Sequence, residues 1–294
     1  MGMGQVLIDV VTNDPERETN LRISPDGSML LFNMVPGDTR RSFLNRFAAN
    51  TRNNRGGQRA YQDNSIVMMR LGQPGRNIVS QQGARDAAWY PTGDRFAFSM
   101  LQGPQAMLAS GSLASESGAV RFLTPTPCVA FDWQPSISYD GATLLFSTFM
   151  LDEPQTLATM EAGETTAKCK LLFPGKSAQW SPTARQFVFT RVVNGFDQVF
   201  TFDEATAQLT QITFGAHNNN EPAWSPDGQR VVFVSDRAES GDVFVIGLDG
   251  RNLIQITQGP TEDVSPTWSM DGHIYFVSNA GLQWDIWRAA IGGE

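Results

Sequence analysis

Six polar residues recur at one position of a repeated pattern, and any chemistry in this chain would have to be built from them. Asn20, Asp86, Gln134, Ser177, Glu221 and Ser265 each stand three residues before a large apolar anchor: Ile23, Trp89, Ile137, Trp180, Trp224 and Trp268. Glu18, Arg85, Asp132, Lys176, Asn220 and Asp263 lie close by and are expected to extend the same polar rim. Carboxylates and amide oxygens are the donors that calcium favours. No Asp-x-Asp-x-Asp-Gly loop accompanies them, so calcium is a cofactor this set admits and does not require. The two histidines, His217 and His273, sit at turns. His217 reads as solvated, and His273 as exposed on the opposite face. No Ser/His/Asp set, zinc-ligand spacing or phosphate-binding glycine loop is present, so no residue is given a catalytic role.

A second candidate is basic. The stretch from about 36 to 60 carries Arg40, Arg41, Arg46, Arg52, Arg55 and Arg59 against the single acid Asp38. Phe43, Leu44 and Phe47 within it have the spacing of a short amphipathic helix. Functional segments are often loops inserted into a rigid scaffold. This one is expected to act as a docking loop for an acidic or peptide partner.

The elements that position these residues are β-hairpins. In Glu221-Pro-Ala-Trp-Ser-Pro-Asp-Gly-Gln-Arg-Val-Val-Phe-Val, Pro226 and Gly228 supply the special backbone angles of a tight turn. Val231–Val234 then has the β-branched and aromatic character of a strand. Related hairpins begin near Arg22, Ala88, Ser136, Gln179 and Thr267, the last one residue shorter. The anchors recur at intervals of 66, 48, 43, 44 and 44 residues, and the long first interval contains the Arg-rich insertion.

Two further strands follow each hairpin. They are expected over 65–71 and 77–80, 106–109 and 119–123, 156–160 and 168–173, 198–202 and 208–213, and 242–247 and 253–257. Four short strands per period of about 44 residues is the signature of a β-propeller blade. A lone repeat cannot bury its own apolar face, so residues 1–294 are expected to form one domain. The sixth unit lacks a fourth strand, while Gln5–Val11 is a strand without a unit. The expected fold is therefore all-β: six four-stranded blades, the last completed by the N-terminal strand, which removes open sheet edges. The recurring tryptophans then read as packing between blades, and Asp236-Arg237 as a local turn contact.

Composition narrows the function. A net charge of −8 disfavours nucleic acid as a partner, because that binding rests on a basic surface. No apolar run is long enough to span a membrane. Two cysteines, Cys128 and Cys169, make no disulfide framework, and their spacing does not say whether they pair. The start, Met-Gly-Met-Gly-Gln-Val-Leu-Ile, lacks the basic and apolar regions of a signal peptide. Either the protein is cytoplasmic, or the leader is absent or replaced; the Met-Gly-Met-Gly start favours the second.

The stretch Trp224 to Arg237, with Trp-Ser-Pro-Asp-Gly, an apolar strand and Val-Ser-Asp-Arg, resembles the repeat of TolB-like six-bladed propellers (PD40, WD40-like). Units one, three and six keep most of the pattern; units two and four depart at Thr92-Gly93 and Thr183-Ala184. The only Trp-Asp pair, Trp284-Asp285, is misplaced for a WD repeat. The resemblance implies a periplasmic, monomeric, non-enzymatic scaffold of the bacterial envelope that binds a protein or peptide. The alternative is a hydrolase or lyase acting on a saccharide or peptide in the central channel. Related peptidases add an α/β-hydrolase domain, and no Gly-x-Ser-x-Gly elbow for one occurs here.

Overall fold

The hairpin turns of units one, three and five are built by their own Ser and Asp. Ser225 Oγ donates to Asp227 Oδ1 (2.5 Å), Asp227 Oδ1 accepts the Gln229 N–H (3.0 Å), and Ser225 Oγ accepts the Arg230 N–H (2.8 Å). Ser24 and Asp26 in the first unit, and Ser138 and Asp140 in the third, repeat these contacts. The hydrogen bonds hold the Asp26 carboxyl down at about 2. Gly27, Gly93, Gly141, Gly228 and Gly272 occupy the left-handed position that closes the turn.

The structure is a computed structural model that describes residues 7–12, 17–35, 64–80, 83–114, 120–124, 127–150, 153–163, 168–238, 240–281 and 283–291. The Arg-rich stretch and its six arginines lie outside these residues, as does the short helix expected there. Every described regular element is a β-strand.

The strands fall into antiparallel units of four. Unit one holds β2 (Arg17–Ile23), β3 (Met29–Val35), β4 (Ser65–Arg70) and β5 (Arg76–Ser80). Unit two holds β6 (Ala84–Trp89), β7 (Arg95–Gln102), β8 (Gln105–Ser112) and β9 (Arg121–Phe122). Unit three holds β10 (Phe131–Ile137), β11 (Thr143–Phe149), β12 (Thr156–Glu161) and β13 (Lys170–Pro174). Unit four holds β14 (Lys176–Trp180), β15 (Gln186–Val193), β16 (Phe196–Asp203) and β17 (Gln208–Gln211). Unit five holds β18 (Asn219–Trp224), β19 (Arg230–Ser235), β20 (Asp242–Gly247) and β21 (Ile254–Gln255). The last sheet orders β22 (Asp263–Trp268), β23 (His273–Ser278), β24 (Asp285–Ala290) and then β1 (Leu7–Val10). The expected strands are all present, with ends shifted by a few residues.

β1 pairs antiparallel with β24, from Leu7 opposite Ala290 to Val10 opposite Trp287. The residues just after it repeat a contact found in other units. Thr12 Oγ1 accepts the Ile286 N–H (2.8 Å), as Thr124 does from Leu108 (2.8 Å), Thr213 from Val199 (2.8 Å) and Thr257 from Val243 (2.9 Å). Thr12 thus occupies, 274 residues from Ile286 in sequence, the place that the threonine two residues past the fourth strand holds in units two, four and five.

Units two and three share one eight-stranded sheet through a single parallel bridge between Phe131 and Ala106. Cys128 and Cys169 form a disulfide that ties the segment before β10 to the outer edge of unit three. The sequence left this pairing open.

The core lies between units. Trp89, Trp180, Trp224 and Trp268 are buried, as expected of packing residues. Trp89 Nε1 donates to the Arg22 carbonyl (3.2 Å) and Trp224 Nε1 to that of Gln179 (3.0 Å), each in the preceding unit. Asp236 and Arg237 make turn contacts. Asp236 accepts from Asn218, while Arg237 reaches Asn219 Oδ1 and lies over Phe244.

Candidate functional site

The six recurring polar residues share a backbone conformation that the sequence only hints at. Asn20, Asp86, Gln134, Ser177, Glu221 and Ser265 have φ of 55°, 58°, 54°, 52°, 50° and 54°. Each sits at a register shift in the first strand of its unit. A bulge with its first residue left-handed re-aims that side chain. Left-handed backbone disfavours β-branched residues and is tolerated best by short polar ones. That is a physical reason why none of the six is Val, Ile or Thr. Pro135, Pro222 and Pro266 follow three of them, and a bulge tolerates the missing N–H.

The bulges bring all six side chains to one cavity of about 30 Å³, lined also by Arg22, Gln179, Pro222 and Pro266. Neighbours are hydrogen-bonded from unit to unit. Gln134 Oε1 accepts the Ser177 N–H (2.9 Å), and Glu221 Oε2 accepts the Ser265 N–H (2.7 Å). Ser265 Oγ accepts the Asn20 N–H (3.1 Å), so the last unit stands against the first. Asn20 Nδ2 donates to Asp86 Oδ1, and Arg85 Nε lies 3.2 Å from Asp86 Oδ2. A space of this size holds one or two waters or a single ion, and no sugar ring.

The neighbouring residues expected on the rim are placed otherwise. Glu18, Asp132 and Asp263 are buried at unit boundaries and point away from the cavity's ring of residues. The Thr12 hydroxyl donates to Glu18 Oε2 (2.7 Å), and Arg76 pairs with Glu18 Oε1. Asp132 accepts the Cys128 N–H (2.9 Å) together with hydroxyls of Thr148 and Thr124. Burial pushes the Asp132 carboxyl up to about 6. Asp263 is raised by burial too, and Asp242, buried near it, rises to about 6 from burial first and then from the Asp263 charge. The correction has a simple cause: residues before the bulge keep strict alternation, so positions five before the anchor turn into the boundary with the preceding unit. Lys176 pairs with Asp197 (2.7 Å), and Arg85 lies over the Trp133 ring (4.9 Å).

His217 is exposed, as expected. His273 is only half-exposed, because Asp271 Oδ2 holds its Nδ1 at 3.2 Å. Among the described residues no group of three or more His, Cys, Asp or Glu side chains is arranged to hold a metal ion.

Four-stranded antiparallel units with a tryptophan between them now meet an independent finding. A family model of the TolB beta propeller domain matches residues 133–244 and 174–294. The chain belongs to the TolB β-propeller family. Among solved structures it is similar to a putative TolB from Agrobacterium tumefaciens, at 22% identity and a TM-score of 0.61. That likeness covers 69% of this chain and 73% of the other. TolB from Acinetobacter baumannii matches at 14% identity and a TM-score of 0.61, over 95% of this chain and 81% of the other. The tricorn protease matches at 15% identity and a TM-score of 0.62, covering 96% of this chain but 27% of its own. At these identities the likenesses establish the fold alone. No curated protein matches the sequence.

Proposed function

We propose that residues 1–294 form a single six-bladed, monomeric propeller whose N-terminal strand completes the last blade, and that it is a non-enzymatic scaffold binding a protein or peptide. The observation that carries the reading is the ring of six bulged residues. They converge from all six units, yet enclose only about 30 Å³. A partner would engage the mouth of this ring, at Asn20, Asp86, Gln134, Ser177, Glu221 and Ser265. The Arg-rich segment bearing Arg40, Arg41, Arg46, Arg52, Arg55 and Arg59 would hold it from one side. That segment joins Val35, which lies opposite Arg17, to Ser65, which lies opposite Met34. It therefore leaves from the end of unit one where the first strand begins. A calcium ion is the one cofactor proposed, in the cavity beside Asp86 and Glu221.

The disulfide supports an oxidising compartment such as the periplasm. A hydrolase or lyase acting inside the channel is the weaker reading, since no saccharide or peptide fits the cavity. Relatives such as the tricorn protease keep it in view, although the likeness spans only 27% of that chain.

The test is a pull-down from bacterial envelope extract with the intact chain, a chain lacking residues 37–59, and Asp86→Asn/Glu221→Gln. A specific protein captured by the first and lost from the others supports the reading. No captured protein, together with turnover of a saccharide or peptide substrate, would overturn it.

A further inference from the structure

The turn end of units five and six, away from the ring, holds a groove of about 780 Å³. The two turns that flank it differ in length by one residue. Unit five turns through Trp224-Ser-Pro-Asp-Gly-Gln-Arg230, and unit six through the shorter Trp268-Ser-Met-Asp-Gly-His273. The turns of units five, one and two pack onto the turn before them. A Cβ added to Gly228 would collide with Thr183 Oγ1, one on Gly27 would meet Ser269 Oγ at 3.1 Å, and one on Gly93 would meet Pro25 at 3.9 Å. Gly272 and Gly141 meet nothing within 4 Å, and beside Gly272 the space is this groove.

Arg230 lines the groove, with its guanidinium 4.8 Å from the centre of the Trp268 ring. Arg185 of unit four stands one position earlier in its turn and faces the boundary with unit three. It binds Asp140 (2.9 Å), Glu204 (2.8 Å) and Thr143 (3.0 Å). Among the described residues Arg230 has no carboxylate within ion-pairing distance, and it stands on the groove wall with Asp227 and Asp249. Asp227 and Asp249 supply acceptors there; each also fastens its own turn, through the Gln229 N–H (3.0 Å) and the Arg251 N–H (3.0 Å). Asn252 adds an amide, and Leu248 and Ile291 add apolar surface.

The wall therefore mixes donors, acceptors and apolar patches, with two carboxylates against one guanidinium. An anion would meet net repulsion. A metal ion would find two acids that already serve their turns. An apolar ligand would take a guanidinium and two carboxylates out of water with no new partner in exchange, which is costly. Hydroxyl groups both donate and accept, so they satisfy both kinds of partner at once. A sugar ring also offers a C–H face to Leu248 and Ile291. The volume is that of an ordinary small-ligand site. We propose that this groove binds a short, uncharged saccharide.

The test is calorimetry on the full chain with three neutral probes: maltotriose, cellotriose and N,N′-diacetylchitobiose. Glucuronate and inorganic phosphate serve as charged controls. The expected result is a dissociation constant below about 1 mM for at least one neutral probe. Gln229→Trp, which fills the groove from an exposed position, and Arg230→Ala should each weaken it at least about tenfold with unchanged melting. Asp86→Asn/Glu221→Gln should leave it unaltered, which separates this site from the ring. Three outcomes would each overturn the proposal: no neutral probe binding at that level, equal binding by both groove variants, or tighter binding of a charged control.

Discussion

Two seams of the molecule carry the same repeat position and treat it differently. At the seam where the chain ends meet, Thr12 reaches Glu18, and Arg76 compensates the Glu18 charge. At the seam between units two and three, Thr124 reaches Asp132, which among the described residues finds hydroxyls and the Cys128 N–H but no cation. The first seam is held by backbone pairing of a four-residue strand whose Leu7, Ile8 and Val10 remain exposed. The second has a disulfide, a shared sheet, and the stacked Phe131 and Phe149 with Trp133 edge-on. A repeat thus dictates where a buried acid sits. Its neighbours decide whether that acid is paired with a cation.

The comparison breaks most visibly if the chain-end seam is opened. Removing residues 1–12 deletes β1 and Thr12 and should abolish cooperative unfolding followed by circular dichroism. An unchanged melting curve would mean that β1 contributes nothing to unit six. At the other seam, Cys128→Ser/Cys169→Ser should lower stability in urea by about 4 kcal/mol, the scale that chain entropy sets for a separation of 41 residues. A change under about 0.5 kcal/mol would show that shared sheet and stacking suffice there.

Acid should sharpen the difference. The Asp132 and Asp242 carboxyls lie at about 6 in the folded protein, above the ordinary 3.8. The folded state therefore binds more protons than the unfolded one between those values. Their contribution is greatest below about 4 and falls as pH rises toward 6, so from pH 7 to 5 stability should increase. The expected gain is about 1–2 kcal/mol in denaturant titrations, and Asp132→Asn should remove part of the slope. A flat profile in the native protein would refute the uncompensated burial. The smallest effect is expected from Thr12→Val. It should cost about 1–2 kcal/mol, because it leaves the Ile286 N–H and Glu18 without a hydroxyl. Thr124→Val should cost a similar amount at pH 7 and less at pH 5, where a protonated Asp132 no longer needs the donor.

Much of this was legible in residue spacing. Tryptophan recurrence located the units, and the position three before each anchor located the ring. The signal for the chain-end seam was also present, in Val11-Thr12 beside Leu123-Thr124, Ile212-Thr213 and Ile256-Thr257. It has meaning only once those threonines are seen to accept the same N–H. Glu18, Asp132 and Asp263 misled, because a polar residue near a strand start reads equally as rim or boundary until the bulge is placed.

Local pattern determined the strands, turns and repeat, since turn chemistry and alternation act over a few residues. The missing residue in the sixth turn was visible in the sequence as well. Only the tertiary structure decided that Cys128 meets Cys169, that six left-handed residues share one small cavity, and that the turns of units five and six leave a groove between them. Each of these is a contact between units tens to hundreds of residues apart. Their distances follow from how whole units pack, and no local preference encodes that.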